Sequence, residues 1–229
     1  MLTLESLVLQ QGAFRLEADL TVGAGVTAVI GPSGGGKSTL LAAIGGFLDP
    51  ALGHIRIDGR DMAGLAPHAR PVAQLFQDGN LFPHLTVAQN VMLGIAPGLG
   101  RDPARDARVE EVLARVGLSG LGARKPGALS GGQQSRAALA RVLVQDAPLV
   151  LLDEPFAALG PGLKAEMLIL ARDVLAAPGR TLLMVTHDPG DAERVADTVL
   201  LVADGRVTGP HDRAALFADP PAALREYLG

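Results

Sequence analysis

Gly31-Pro32-Ser33-Gly34-Gly35-Gly36-Lys37-Ser38-Thr39 fits the pattern G-x-x-x-x-G-K-[ST] and lies between two apolar runs, Val26 to Ile30 and Leu40 to Ile44. The order is strand, glycine-rich loop, helix. The glycines let successive backbone N–H groups turn inward as an anion nest, and the helix that follows adds its positive N-terminal end. Phosphate is the natural guest. Lys37 is expected to reach the β- and γ-phosphates of a nucleotide as a flexible point charge, and the Ser38 hydroxyl to complete the coordination of a bridging Mg²⁺ ion. Only three of the 229 residues are lysine, so lysine here reflects a chemical requirement rather than composition. An ordinary Gly-rich turn is the alternative, and the flanking strand and helix favour nucleotide binding over it.

With 48% hydrophobic residues the chain can bury a substantial core in one or two domains. Its formal charge of −4 and lack of a lysine-rich block argue against a nucleic-acid surface or a polybasic membrane anchor. There is no cysteine, which excludes disulfides, thiolate metal sites and cysteine nucleophiles. Aromatic residues, at 3%, are too few for base-stacking platforms. The stretch Met1-Leu2-Thr3-Leu4-Glu5 carries no basic segment or small-residue cleavage site, and no run of about 18 apolar residues occurs. The expectation is a cytoplasmic chain that does not itself span a membrane.

From Phe14 to Val22 apolar and polar residues alternate, as in a half-buried strand, and Leu2 to Leu9 reads as its antiparallel companion. His54 to Ile57 and Pro71 to Phe76 read as strands, the second ending at Gln77. Helical patterns follow around Val87 to Leu93, Ala104 to Val116 and Gly131 to Gln145, so that Asp78 to about Ala147 reads as a helical insertion. Next come an apolar run Leu149 to Leu152, a helical stretch Leu163 to Ala177, and a strand Arg180 to Thr186 ending at His187. Strand, helix and strand in alternation imply parallel pairing. Val199 to Val202 and Arg206 to Thr208 form a closing hairpin, followed by a short helical tail to Gly229.

Three further constellations carry chemistry. Ser130-Gly131-Gly132-Gln133 opens a helix with a capping box, and its glycines again expose backbone N–H groups; it is either a well-capped helix or a second phosphate-competent helix start. Leu149 to Leu152 describes a buried strand delivering Asp153 and Glu154 to its C-terminal edge, where ligands of α/β sheets bind. Asp153 would hold Mg²⁺ or its water shell, and Glu154 would orient or deprotonate an attacking water. Gln77 and His187 each end an apolar run and would emerge at the same edge. Either is a satisfied strand cap, or Gln77 coordinates Mg²⁺ and His187 contacts a γ-phosphate. The other histidines, 54, 68, 84 and 211, show no metal-ligand spacing and read as surface residues.

Together these residues resemble the ATP-binding cassette family over essentially the whole chain. Gly31 to Thr39 looks like its Walker A loop, Gln77 its Q-loop glutamine, Leu129 to Gln133 its signature, Leu149 to Glu154 its Walker B and His187 its switch histidine. The resemblance implies an α/β fold: a P-loop NTPase core with a mainly parallel sheet, an antiparallel β part, and an inserted helical subdomain at about residues 78–147 of a single domain spanning 1–229. It implies ATP and Mg²⁺ as ligands and a head-to-tail homodimer, with the signature of one subunit closing on the Walker A nucleotide of the other. Integral membrane permease subunits and, indirectly, a periplasmic solute-binding protein are the further partners implied, with the chain peripheral on the cytoplasmic face of the inner membrane and no nucleic acid bound.

Within the family, Gln74 to Val91 and Leu201 to Gly205 look like the ATP-binding subunit of bacterial thiamine importers; importers of iron, polyamines, molybdate or sulfate share much of the first stretch. Three positions depart from the family pattern. Gln10-Gln11-Gly12 stands where an aromatic usually stacks on adenine, and the alternation around Phe14 points that ring to the core. Ala157-Ala158-Leu159-Gly160 lacks the carboxylate of the usual Ser-Ala-Leu-Asp. Gln134-Ser135 replaces the common Arg-Gln. Competing functions are a soluble regulatory or repair ATPase of the same superfamily and a nucleotide-binding scaffold with little turnover; a small-molecule kinase would not need Leu129 to Gln133.

Overall fold

Period-two alternation builds the first two strands. In the computed structural model, which describes residues 1–77, 79–96, 98, 102–221 and 224–225, β1 (Leu2–Gln11) and β2 (Phe14–Val22) pair antiparallel, with Leu2 opposite Val22 and Gln11 opposite Phe14. The register shifts between Leu4 and Leu7, where Ser6 takes a positive φ of 45°. The chain then enters β3 (Gly25–Ile30), turns through the glycine loop and starts α1 (Lys37–Gly45). β4 (Leu52–Ile57) pairs antiparallel with β1 and carries the two-residue β5 (Arg60–Asp61) on its far side.

β6 (Val72–Leu75) is followed by three helices, α2 (Val87–Met92), α3 (Pro103–Arg115) and α4 (Gly131–Leu143). Residue 78, the expected start of the helical insertion, lies outside the described residues, and so does the end of the tail at 226–229. α4 packs on α2 and α3 and also on β6, so the insertion shares one hydrophobic core with the sheet. After it come β7 (Leu149–Asp153), α5 (Pro161–Leu175), β8 (Thr181–Val185), α6 (Pro189–Val195), β9 (Thr198–Ala203), β10 (Arg206–Asp212) and α7 (Arg213–Ala218). Helix α6 is absent from the sequence expectations. Among its seven residues only Ala192 and Val195 are apolar, too few for a helical period to show.

The ten strands among the described residues form one sheet in the order β5-β4-β1-β2-β10-β9-β3-β8-β7-β6. β9, β3, β8, β7 and β6 run parallel. The expected closing hairpin is β9–β10, but β10 does more than close it: it pairs antiparallel with β9 and parallel with β2, and so joins the antiparallel part to the parallel one. The alternation inside the parallel strands feeds two cores. Val26, Ala28, Val150, Leu152, Leu182 and Met184 face the cluster shared with α2 to α6, whereas Val29, Leu149, Leu151, Leu183 and Val185 face α1 and the antiparallel strands. Strands buried on both faces read as continuous apolar runs, which is the pattern of residues 149–152.

Asn90 holds the entry to the helical insertion. It is fully buried; its Oδ1 accepts from the Phe82 backbone N–H at 2.7 Å, and its Nδ2 donates to Phe82 O at 3.1 Å and Thr86 O at 2.9 Å. One side chain thus satisfies the turn from Phe82 to Thr86. Asn90→Ala is expected to destabilise the fold by about 2–3 kcal/mol, from two or three buried hydrogen bonds at about 1 kcal/mol each. Urea unfolding checks this, and a change below about 0.5 kcal/mol would mean that water replaces the amide without loss.

Candidate functional site

Parallel register collects the candidate residues at one edge. Val29 of β3 lies opposite Val185 of β8, which lies opposite Asp153 of β7. The next backbone groups extend the row: Glu154 N–H donates to Val185 O at 3.1 Å and Thr186 N–H to Val29 O at 3.2 Å. Thus the glycine loop after β3, His187 after β8 and the Asp153–Glu154 pair after β7 leave the sheet side by side. Gln77 is exposed just past β6, the strand beyond β7, and approaches the row only from the Asp153 side.

The loop leaves β3 through a tight passage. At Gly31, φ is 151° and a Cβ would lie 2.0 Å from the Val202 backbone oxygen. Gly36 is the N-cap of α1 in the left-handed region, and a Cβ there would meet the Phe14 ring at 2.5 Å. Phe14 does face inward, as its alternation implies, and its ring lies directly beneath the glycine loop. Pro32, Ser33 and Gly34 are exposed, Gly35 and Thr39 half-buried. Lys37 is 6% exposed and its ammonium donates to Gly31 O at 2.8 Å and Pro32 O at 3.0 Å. Burial is the main influence on it and holds its pKa below the usual lysine value, against the opposing pull of Glu154 and Asp153.

Across the edge the Ser38 hydroxyl donates to Asp153 Oδ1 at 3.2 Å. Burial, the largest influence, holds the Asp153 carboxyl above its ordinary value; the Ser38 hydrogen bond and Lys37 pull it down, while the Glu154 charge adds to the rise. Two hard oxygen donors so placed, in a site where a nearby cation would offset the buried charge, fit Mg²⁺, which keeps waters and phosphate oxygens for its other ligands. Among the described residues no group of three or more His, Cys, Asp or Glu side chains could hold a metal unaided. Glu154 adopts a positive φ of 44° and its Oε2 lies 3.0 Å from His187 Nδ1.

Ser130 caps α4 with the full reciprocal box: its hydroxyl accepts from the Gln133 N–H at 3.3 Å and its own N–H donates to Gln133 Oε1 at 3.0 Å. Gly131 and Gly132 face Leu159 and Leu163, and Gly131 lines a cavity of about 580 Å³ with Gln77, Gln134 and Phe156. Within one chain this helix start therefore belongs with Gln77 and the turn after β7. The departing residue Gln134 ties that turn internally, its amide donating to Pro126 O at 3.1 Å and Leu129 O at 3.3 Å. Of the remaining histidines, 54, 68 and 84 are exposed, but His211 is half-buried with Nε2 3.3 Å from the Thr208 hydroxyl. The sequence reading missed Lys164, Thr186, Asp188 and Asp191, which cluster around His187. An Asp straight after a strand end and before Pro was the available signal for a helix cap.

Residues 17–157 match the family described as ABC transporter. The chain is 61% identical, over the whole of both chains, to the thiamine import ATP-binding protein ThiQ of Cereibacter sphaeroides. It is 51% identical to the protein of that name from Escherichia coli, covering 79% of this chain and 78% of the relative. Among solved structures it resembles a dimeric ATP-binding cassette in a post-hydrolysis state bound to ADP and Pi, with a TM-score of 0.77, 30% identity, and coverage of 93% of this chain and 99% of the other.

A carboxyl whose folded pKa is raised destabilises the fold when ionised. The penalty is present above the folded pKa and vanishes as pH falls below the ordinary value of about 3.9. Asp153→Asn, which keeps an acceptor for Ser38, is therefore expected to raise the melting midpoint of the nucleotide-free protein at pH 7, by about 2–4 °C for each kcal/mol recovered. The difference should shrink as pH approaches 4. Scanning calorimetry across pH checks both; equal midpoints at pH 7 would mean that Ser38 and Lys37 fully offset the burial.

Proposed function

This chain belongs to the ABC transporter family, and on that premise we propose that it is the ATP-hydrolysing subunit of a bacterial thiamine importer. The row Val29–Val185–Asp153 supports the reading most directly, because it sets a phosphate-competent loop, a buried carboxylate and a Glu154–His187 pair along one edge. Thiamine as the solute rests on the names of relatives at 61% and 51% identity.

Each residue then has a definite task. The backbone N–H groups of residues 34–39 and the start of α1 bind the phosphates. Lys37 exchanges the carbonyls of Gly31 and Pro32 for the β- and γ-phosphate oxygens, a short swing because its ammonium already sits over the loop. Ser38 and Asp153, with Gln77 from beyond β6, would hold Mg²⁺, which would neutralise phosphate charge when bound. Glu154 takes the proton of the attacking water through Oε2, and the His187 ring at 3.0 Å orients that carboxylate. The second glycine-rich start, Ser130 to Gln133, serves another copy of the chain on this reading, enclosing its γ-phosphate across a head-to-tail dimer.

Docking to the membrane permease falls to a groove of about 1090 Å³ beneath the helical insertion, lined by Phe47, Phe76, Phe82, Ile95 and Arg141. Phe47 and Phe82 are 58% and 45% exposed, apolar surface that a partner would cover. No helix of the described residues is long and apolar enough to cross a membrane. The importer reading itself puts the chain at the cytoplasmic face of the inner membrane as a peripheral subunit. A periplasmic thiamine-binding protein completes the assembly.

Glu154→Gln is expected to bind Mg-ATP with unchanged affinity, to lose hydrolysis by about 10²–10⁴-fold, and to accumulate as a dimer with ATP. Lys37→Ala is expected to lose tight ATP binding. Calorimetric titration, phosphate release and light scattering read these outcomes, and thiamine uptake by vesicles carrying the assembled transporter reads the solute. A Glu154→Gln protein that hydrolyses at the parent rate would move the catalytic role to another residue.

A further inference from the structure

His187 stands just past the end of β8 with its side chain 58% exposed and its Nδ1 3.0 Å from Glu154 Oε2. The two residues that flank it are held. The Thr186 hydroxyl donates to Asp191 Oδ2 at 2.6 Å and accepts from the Asp188 N–H at 3.0 Å. Asp188 Oδ1 accepts from the Gly190 N–H at 3.0 Å and so caps α6. Both carboxylates converge on one cation: Lys164 Nζ lies 2.7 Å from Asp191 Oδ2 and 3.0 Å from Asp188 Oδ2.

Apart from Asp188, whose side chain is 49% exposed, the cluster is largely out of water. Thr186 and Asp191 are 3% and 6% exposed, and the Lys164 side chain is 14% exposed. Its placement is informative, because Lys164 lies one turn into α5, near the positive end of the helix dipole, where a cation is normally disfavoured. Burial also lowers the lysine pKa, yet the hydrogen bonds to Asp191 and Asp188 outweigh it and the value is raised; the bond from Lys164 likewise lowers that of Asp188. A cation kept against both the dipole and burial is kept by its partners. The same first turn packs Leu163 against Gly132 at the start of α4, and its N-cap, Gly160, offers no side-chain cap.

We propose that Lys164 is a positioning residue for hydrolysis: through Asp188 and Asp191 it clamps the Thr186–Asp188 turn to the start of α5, and thereby holds the His187 ring against Glu154. The proposal rests on the ATPase reading above. Without the ammonium, the turn loses its ionic tie to α5 and the buried Asp191 carboxylate is left without its counter-charge. The phosphate loop is on a different strand and keeps its own contacts.

The test uses the full chain as parent, Lys164→Met, Lys164→Arg, Asp188→Asn and Glu154→Gln. Asp188→Asn retains the α6 cap and removes one charge facing Lys164, which makes it the milder probe should Lys164→Met fail to fold. Expected for Lys164→Met is a loss of kcat of at least about tenfold, with KM and the Mg-ATP dissociation constant within about twofold of the parent. Lys164→Arg should stay within about threefold of the parent and Asp188→Asn should fall between the two. NMR of the nucleotide-free protein should show the His187 ring signals displaced in Lys164→Met and Asp188→Asn, with those of His54 and His211 in place; this reading does not depend on turnover. Unmoved His187 signals, a parent kcat in Lys164→Met, or an equal loss of ATP affinity and kcat would each overturn the clamp. The parent and Glu154→Gln separate the two levels: absence of ATP turnover in the parent defeats the ATPase reading, whereas an active parent and an inactive Glu154→Gln beside an unaffected Lys164→Met defeat the clamp alone.

Discussion

A strand buried on both faces cannot carry an unpaired charge, and that constraint places the two carboxylates and the histidine of the site. Leu149 to Leu152 are 0–1% exposed, and Leu182 to Val185 no more than 2%. Inside such strands an ionised side chain would lose its hydration with nothing to replace it. Charge is admitted only where the strands end, so Asp153, Glu154 and His187 appear at the first positions where the backbone leaves the double-sided core. The edge that carries the candidate site is in this sense the rim of the hydrophobic core.

Within the chain itself the charges of the site are only partly matched. Lys37 spends its hydrogen bonds on the loop's own carbonyls, and Asp153 is held partly against ionisation by burial. Opposite charges lie close to one another, yet neither has the dense anionic or cationic partner its geometry suits. Triphosphate and Mg²⁺ would relieve both at once, giving binding a driving force localised at residues 37, 38 and 153. A fold that tolerates this imbalance needs firm packing behind it, and the Phe14 ring under Gly36 together with α1 between the two parts of the sheet provides it.

Polar side chains are also used as internal splints where regular structure stops. Asn90 closes the Phe82–Thr86 turn, Gln134 ties Pro126 and Leu129, and Arg141 donates to the carbonyls of Gly79 and Asn80. Each sits on a helix of the insertion and fastens a loop bordering a groove. Loops with no periodic hydrogen bonding of their own need such donors and acceptors, since a buried backbone group left unpaired costs about 1–3 kcal/mol.

Much of this protein was legible before folding was considered. Alternation around Phe14 to Val22, the apolar run at 149–152 and the glycine loop at 31–39 read as their elements because each depends on neighbours in sequence: a period of two, burial of a continuous run, backbone N–H groups in succession. The family resemblance rested on the same local motifs in order. Helix α6, the double pairing of β10, the contact of the inward-facing Phe14 ring with Gly36 and the Lys164–Asp188–Asp191–Thr186 cluster were not legible. The partners in that cluster are 24 residues or more apart between α5 and the turn after β8, and a lone lysine in a helix looks like any solvated cation. What a side chain costs or contributes depends on what the tertiary fold sets within about 4 Å of it, and sequence spacing carries no record of that distance.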